Sequence, residues 1–445
     1  MHCLKKALQK SRHKFDFKPY AGWHTVYHFG DFMNYDKAIE YIHSLLVFGS
    51  RPGLERISVL LAKLGNPQDD LKFIHVAGTN GKGSTCNMLA EVYKQAGLKT
   101  GMYTSPYIVD FRERMQINGE YIPKDDLARL CERVKNTGVE VTEFEFITAL
   151  AFLWFKEQKC DIVILEVGLG GRFDATNVIK APLCAVIMKL DYDHTAILGD
   201  TLGEIAMEKC GIIKDDCPTV VYPLQEGEAL DEILKHSDHI ALPDLKQLQI
   251  VKADISGNTF IYKDVEYKTR LVGEHQIYNA VTVIETLNCV GIDIREENVI
   301  GGIASATVPA RLELISDSPI VFLDGAHNPN GADALSSFMK TYSGEIIGIS
   351  GMMADKNCEG FLREVLPFCQ SLITVTVKEN PRTISADELC DLAAKYCDDV
   401  VTASDYDSAI ALAKKKSGGK KPIFVFGSLY LAGALREKLL TAFNS

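Results

Sequence analysis

No two cysteines in this sequence stand close enough for a zinc or dithiol motif. The 12 cysteines are scattered, and the nearest pairs, Cys210 with Cys217 and Cys390 with Cys397, are seven residues apart, which removes CxxC metal and redox chemistry from consideration. Most of them read as small buried hydrophobes with free thiols. No uncharged stretch reaches the roughly 18 residues that a membrane helix needs, and the opening MHCLKKALQKSRHKF has no apolar run of signal-peptide length; a cytoplasmic protein is expected. Positive charge is in deficit, with 48 Lys plus Arg against 59 Asp plus Glu and a net charge of -11. That balance argues against a broad surface for nucleic acid or acidic lipid and leaves room only for a local basic pocket. Internal repeats and low-complexity tracts are lacking too. What remains is a 445-residue chain, 47% hydrophobic and 24% charged, a globular composition long enough for two or three domains with their own cores.

Residues 1–32 carry four of the 11 histidines and read as a basic-aromatic extension of uncertain order. From Met33, apolar residues at Ala38, Ile39, Ile42, Leu45 and Leu46 recur at helical spacing. A second helical pattern after Gly53 places Leu54, Ile57, Leu60, Leu61 and Leu64 on one face, with Gly65 as its C-cap. These two helices are expected to cover one edge of the unit that begins after them. From Phe73 short apolar strands alternate with helices, the pattern of a mainly parallel sheet. Residues 248–272 turn hairpin-like and are expected to end that sheet. After the connector SATVPARLELI a second alternation runs to the end, and the run KKKSGGKK reads as a solvated helix end and turn. The expected fold class is therefore α/β: a P-loop domain over 33–307 with a mainly parallel sheet, and a smaller C-terminal Rossmann-like α/β domain over 308–445.

The strongest local signal is the stretch Gly78-Thr79-Asn80-Gly81-Lys82-Gly83-Ser84, between an apolar strand and an amphipathic helix. Glycines there let backbone N–H groups wrap a phosphate, the helix N-terminus adds partial positive charge, and Lys82 can reach β- and γ-phosphates. The spacing departs from GxxxxGK[ST], since the first glycine stands only three residues before Gly81 and Gly83 separates Lys82 from Ser84.

GTNGKGS, succeeded in order by TSPYIVDFRERMQING, EVGLGGRFDATN, DYDHTAILG, EKCGIIK, GEHQIYN, PARLE, DGAHNPNG and GSLYLAG, resembles the folylpolyglutamate synthase and dihydrofolate synthase family of the Mur ligase superfamily, from about residue 33 to the end. The resemblance implies an ATP- and Mg²⁺-dependent ligase that joins L-glutamate to the γ-carboxylate of a folate, or to dihydropteroate, through an acyl phosphate. It implies Ser105, Glu166, His194 and a carbamylated Lys209 as magnesium ligands. Asn279, Arg311, Asp324 and His327 would surround the nucleotide and interdomain cleft, with His327 also acting on the substrates, and Ser428 would meet the incoming amino acid. The loop of Phe111, Arg112 and Arg114 would close over the folate; Tyr107 stands there where many relatives have His.

The residues fit that chemistry in their own right. A carboxylate is a poor electrophile and must take a phosphoryl group, a transfer that needs positioning and neutralised charge. Glu166, His194 and Ser105 follow strands, at the carboxyl edge where open α/β sheets hold ligands. Taken singly, each has another reading: a strand-end Glu as a salt-bridge partner, His194 as a loop histidine bonded to Asp193, Ser105 as a turn residue before Pro106, Lys209 as an exposed helix lysine, Arg311 as an interdomain ion pair, Ser428 as a helix cap. Two other functions remain open: a Mur-type ligase with a different carboxylate acceptor, and a P-loop nucleotide switch that ligates nothing. The expected partners are small molecules, with no nucleic acid, no membrane and a monomeric enzyme.

Overall fold

The computed structural model describes residues 33–443 apart from 50, 226, 343–344, 379 and 381; the expectation of an N-terminal extension over 1–32 lies outside the described residues. Strand β1 (Phe73–Ala77), buried along its whole length, is the centre of an eight-stranded sheet. Its other strands are β2 (Thr100–Tyr103), β3 (Met115–Ile117), β4 (Glu120–Tyr121), β5 (Ile162–Glu166), β6 (Cys184–Ile187), β7 (Thr219–Val221) and β8 (Ile240–Ala241), in the order β4-β3-β2-β5-β1-β6-β7-β8. All pairings from β2 to β8 are parallel, and only β3 and β4 run antiparallel at one edge. Strands with unbroken apolar runs suit this position, because a parallel sheet is covered on both faces.

Register decides what the sheet can do. Val76 pairs with Glu166, Tyr103 with Leu165, and Ala77 with Ile187. The residues that come after β1, β2 and β6, together with the last residue of β5, therefore emerge at one edge.

Two apolar layers hold that sheet. One face is covered by the helix Glu143–Glu157, entered through a capping box of Thr142 and Glu145. The helices Tyr35–Ser44 and Glu55–Lys63 pack outside it. They cover this helix and not a sheet edge, because their apolar stripes match the outward side of a helix that is buried nearly all round. The other face carries Lys82–Gln95, His275–Val290 and Glu296–Ser305.

The hairpin-like stretch departs from expectation in a second way. Strands β9 (Leu248–Asp254), β10 (Gly257–Tyr262) and β11 (Val265–Thr269) form a separate antiparallel sheet. Phe260, Tyr262 and Tyr267 bring it into the second layer, while Ile255 at its turn packs on the C-terminal core.

That C-terminal core surrounds a six-stranded sheet of β12 (Glu313–Asp317), β13 (Ile320–Leu323), β14 (Ile346–Ser350), β15 (Cys369–Val375), β16 (Val400–Ala403) and β17 (Ile423–Phe426), ordered β12-β13-β17-β14-β15-β16. Only β12 is antiparallel, so the loops after β13, β14 and β17 share one edge. The basic run ends the helix Tyr406–Ser417 at a left-handed Gly418, as its composition implied.

The phosphate-loop helix and Glu296–Ser305 approach at Gly302, where a Cβ would lie 2.5 Å from Val92 Cα and 2.6 Å from Val92 N. Gly302→Ala should therefore lower the unfolding free energy by about 1–3 kcal/mol, the usual cost of overpacking, and urea denaturation measures it.

Candidate active site

The loop 78–84 sits on the edge set by β1, where both its ends are constrained. Gly78 and Gly81 have positive φ angles of 154° and 84°. A Cβ at Gly78 would lie 2.6 Å from Met188 Cβ, and one at Gly81 would lie 2.6 Å from Asn279 Oδ1. Glycine is thus required twice, by conformation and by space. Thr79 and Asn80 donate their N–H groups to Lys189 O at 2.9 and 3.2 Å, while Thr79 Oγ1 exchanges two 3.1 Å bonds with the Asp191 backbone. Lys82 opens the helix Lys82–Gln95 and folds over the loop, donating to Gly78 O at 3.0 Å and Thr79 O at 3.3 Å. Gly83 and the buried Ser84 continue the first turn. Asn279 is buried and donates to Gln276 at 2.9 Å.

Across this edge Glu166, 4% exposed, accepts the Ser105 N–H at 3.0 Å. Burial raises its carboxyl above the usual range, against the opposing charges of Lys82, Arg311 and Arg114. Lys209 is 5% exposed and donates to Gly78 O at 3.0 Å. Burial and the neighbouring Lys82 charge lower its ammonium to about 7. His194 starts the short helix Thr195–Leu198 in a left-handed conformation; burial lowers its pKa, partly offset by Asp193.

The second sheet faces this edge with its own strand ends. Asp324, after β13, accepts the N–H groups of Leu312 and Ala326, both at 2.7 Å, and so holds the connector that carries Arg311. His327 Nδ1 lies 2.9 Å from Gly325 O; a carbonyl only accepts, so the proton sits on Nδ1 and Nε2 is left as an acceptor. Burial lowers this imidazole to about 4. Ser428 follows β17, is buried, and accepts the Tyr430 N–H at 3.1 Å. Gly427 N donates to Ala326 O at 3.0 Å, tying the two loops together.

The two substrate-loop arginines part company. Arg112 is committed to Asp110, with bonds of 2.7 to 3.2 Å, and lies by the rings of Tyr35 and Tyr121. Arg114 lies between Tyr107 and the buried Phe111, and its charge reaches Glu166.

Two residues of the site, Lys356 and Asn328, went unremarked in the sequence, and Asp193 was named there only as a neighbour of His194. Asp193 forms a 2.8 Å ion pair with Lys356, which follows β14, and both side chains are largely buried. Burial pushes the Asp193 carboxyl up, but Lys356, His194 and His327 together outweigh it and hold the group at about 2. Asn328 links Asn80 at 3.3 Å to Asp193 at 3.5 Å. The rule that singled out Glu166, His194 and Ser105, polar residues at the carboxyl edge of a parallel sheet, applies equally to Lys356. A buried chain also runs from His75 through Thr176 at 2.9 Å to Asp174 at 2.5 Å; nothing in local sequence marks it.

A phosphate loop on one parallel sheet, closed over by strand ends of a second, is the arrangement of a Mur ligase. Residues 76–287 match the Mur ligase middle domain and 310–429 the Mur ligase glutamate ligase domain. The chain is 36% identical to the dihydrofolate synthase/folylpolyglutamate synthase of Bacillus subtilis, over 92% of this chain and all of that one. It is 35% identical to the folylpolyglutamate synthase of Lacticaseibacillus casei, over 92% and 99%. The crystal structure of Mycobacterium tuberculosis folylpolyglutamate synthase complexed with ADP and AMPPCP superposes with a TM-score of 0.81 at 30% identity, covering 91% of this chain and 99% of that one. This chain belongs to the folylpolyglutamate synthase/dihydrofolate synthase family.

Burial lowers His75 to about 3, well below the unfolded value near 6.5. The unfolded state then binds the extra proton, so stability is full above pH 6.5 and falls as pH drops toward 3. Between pH 6.5 and 4 the loss should be on the order of 3 kcal/mol. His75→Gln, which keeps a partner for Thr176, should flatten that part of a urea-unfolding pH series.

Proposed function

We propose that this protein is an ATP-dependent ligase that adds L-glutamate to the γ-carboxylate of a folate through an acyl phosphate, and that it takes dihydropteroate as a second acceptor. The observation that carries the reading is the contact of Asn328 with Asn80, which closes the C-terminal sheet over the phosphate loop. A transfer confined to one sheet would need no such lid. Residues 33–307 and 308–445 are the two working units. The net charge of -11 supports small-molecule partners over nucleic acid, and among the described residues no helix is long and apolar enough to cross a membrane.

In this reading, the backbone N–H groups of 78–84 and Lys82 hold the β- and γ-phosphates, and Asn279 and Arg311 border the nucleotide. The acceptor carboxylate, oriented by the loop of Phe111 and Arg114, attacks the γ-phosphorus in line and ADP leaves. The amine of glutamate then attacks the acyl carbon, and phosphate leaves as the amide forms. Ser428 orients that amino acid, and His327 Nε2 accepts a hydrogen bond from its amine.

Among the described residues no group of three or more His, Cys, Asp or Glu is arranged as a metal cage. A buried carboxylate beside a serine is instead the sparse protein contribution that Mg²⁺ accepts when phosphate oxygens and water supply the rest. Glu166, Ser105 and His194 would hold that ion, which neutralises charge on the transferring phosphoryl group. Lys209 is suited to carbamylation, because an amine lowered to about 7 is substantially neutral at physiological pH. Its nitrogen adds CO₂, loses a proton and becomes an anionic oxygen donor beside Lys82.

Phosphate release from ATP should require folate and glutamate together, and turnover without glutamate would refute ligation. Lys82→Ala should cut the rate on the order of a hundredfold or more with the fold intact. Lys209→Ala should lose most ligation yet keep ADP affinity, with partial rescue by acetate; near wild-type turnover in bicarbonate-free buffer would exclude the carbamate. Mass spectrometry of products from dihydropteroate and a reduced folate, tested separately, reads both acceptor activities.

A further inference from the structure

The C-terminal helix Leu429–Phe443 meets the substrate loop at Gly433. A Cβ built there would overlap the carbonyl oxygen of Ile108 and lie 3.0 Å from its carbonyl carbon. The two backbones touch with no side chain between them. The Ile108 side chain packs into the apolar cluster that contains Leu429, Ala432 and Leu435, so this residue belongs by sequence to the first sheet and by packing to the second.

The loop is stiff enough to transmit that contact. The Glu113 carboxylate gathers the N–H groups of Ile108, Val109 and Asp110 at 2.6, 2.9 and 2.7 Å, while Asp110 caps the turn at Arg112 N, 2.9 Å away. The loop returns to the sheet through β3, paired with β2. The same C-terminal helix begins directly after Ser428, so that Gly433 stands about one turn from that serine. One rigid helix thus connects the serine assigned to the amino acid with the loop assigned to the acceptor.

We propose that Ile108 and Gly433 are positioning residues, whose backbone contact sets the separation between the acceptor carboxylate on the loop and the amine held at Ser428. The proposal rests on the ligase reading. Amide formation needs the acyl carbon and the amine at about 3–3.5 Å, yet the two substrates are carried by different sheets. On the nucleotide side the register between the sheets is set by Asn80, Asn328, Asp193 and Lys356. Ile255 adds a contact through the separate antiparallel sheet, and the Ile108–Gly433 contact supplies the point on the acceptor side. A glycine is needed there because any Cβ would push the loop away from the helix.

The test uses the full chain, with steady-state kinetics for a reduced folate and the ratio of phosphate released to amide formed. Gly433→Ala should raise the acceptor KM on the order of tenfold and release phosphate in excess of amide, since an acyl phosphate out of reach of the amine is hydrolysed. The dissociation constant for ADP should stay unchanged. Ile108→Ala should act in the same direction, and Ile108→Val should restore coupling. Leu439→Ala, in the core of the same helix, should lower Tm and leave the ratio at one. Unaltered acceptor KM and coupling in Gly433→Ala and Ile108→Ala would overturn the proposal, as would equal uncoupling in Leu439→Ala. If Gly433→Ala does not fold, Ile108→Ala decides. A wild-type protein that forms no amide would refute the ligase reading itself, a separate outcome.

Discussion

Parallel pairing of β1 with β5 and β6, and of β5 with β2, is the constraint on which the site depends. Parallel strands share a direction, so register alone decides which chain segments leave the sheet side by side. Pairing Val76 with Glu166 puts the phosphate loop beside a carboxylate that lies 90 residues further along the chain. A slip of one residue would turn Glu166 to the opposite face of the sheet. Because β1 and β5 are buried throughout and apolar except at His75 and Glu166, packing on both faces forbids that slip, and the core thereby fixes the chemistry at its rim.

Electrostatics at the rim is a consequence of burial. Lys82, Lys209 and Arg311 gather around Gly78 and Glu166; burial is the main reason that Lys209 and His327 titrate low, and the neighbouring cations, Lys82 for the first and Lys356 and Arg311 for the second, push in the same direction. An overall acidic chain, at -11, concentrates cations where a polyphosphate would lie. Net charge describes the whole surface, whereas the charges lining a cleft govern what binds there.

The two sheets touch through few and chemically unlike contacts. Near the phosphate loop they are polar: a largely buried ion pair of Asp193 and Lys356, bridged to Asn80 by Asn328. At Ile108 and Ile255 they are apolar. Small polar interfaces permit domain motion, whereas apolar knobs seated in a neighbouring core resist it. The sheets are therefore held in register by polar contacts beside the loop 78–84 and by apolar contacts elsewhere.

By itself the sequence determined the alternation of strands and helices, the phosphate loop and the two-sheet organisation, because each is written in local periodicity or in a contiguous motif. Gly78 and Gly81 could be read directly: their roles are backbone roles, and backbone conformation is a local property. Only the tertiary structure decided that Arg112 is captured by Asp110, two residues before it, while Arg114 lies between the rings of Tyr107 and Phe111. Only the fold, likewise, made β9–β11 a separate sheet and set Lys356 against Asp193 across 163 residues of chain. The physical reason is the same in each case. Periodicity reports which side of an element faces apolar surroundings, whereas the partner of a buried charge is chosen by strand order and register, which no short stretch of sequence contains.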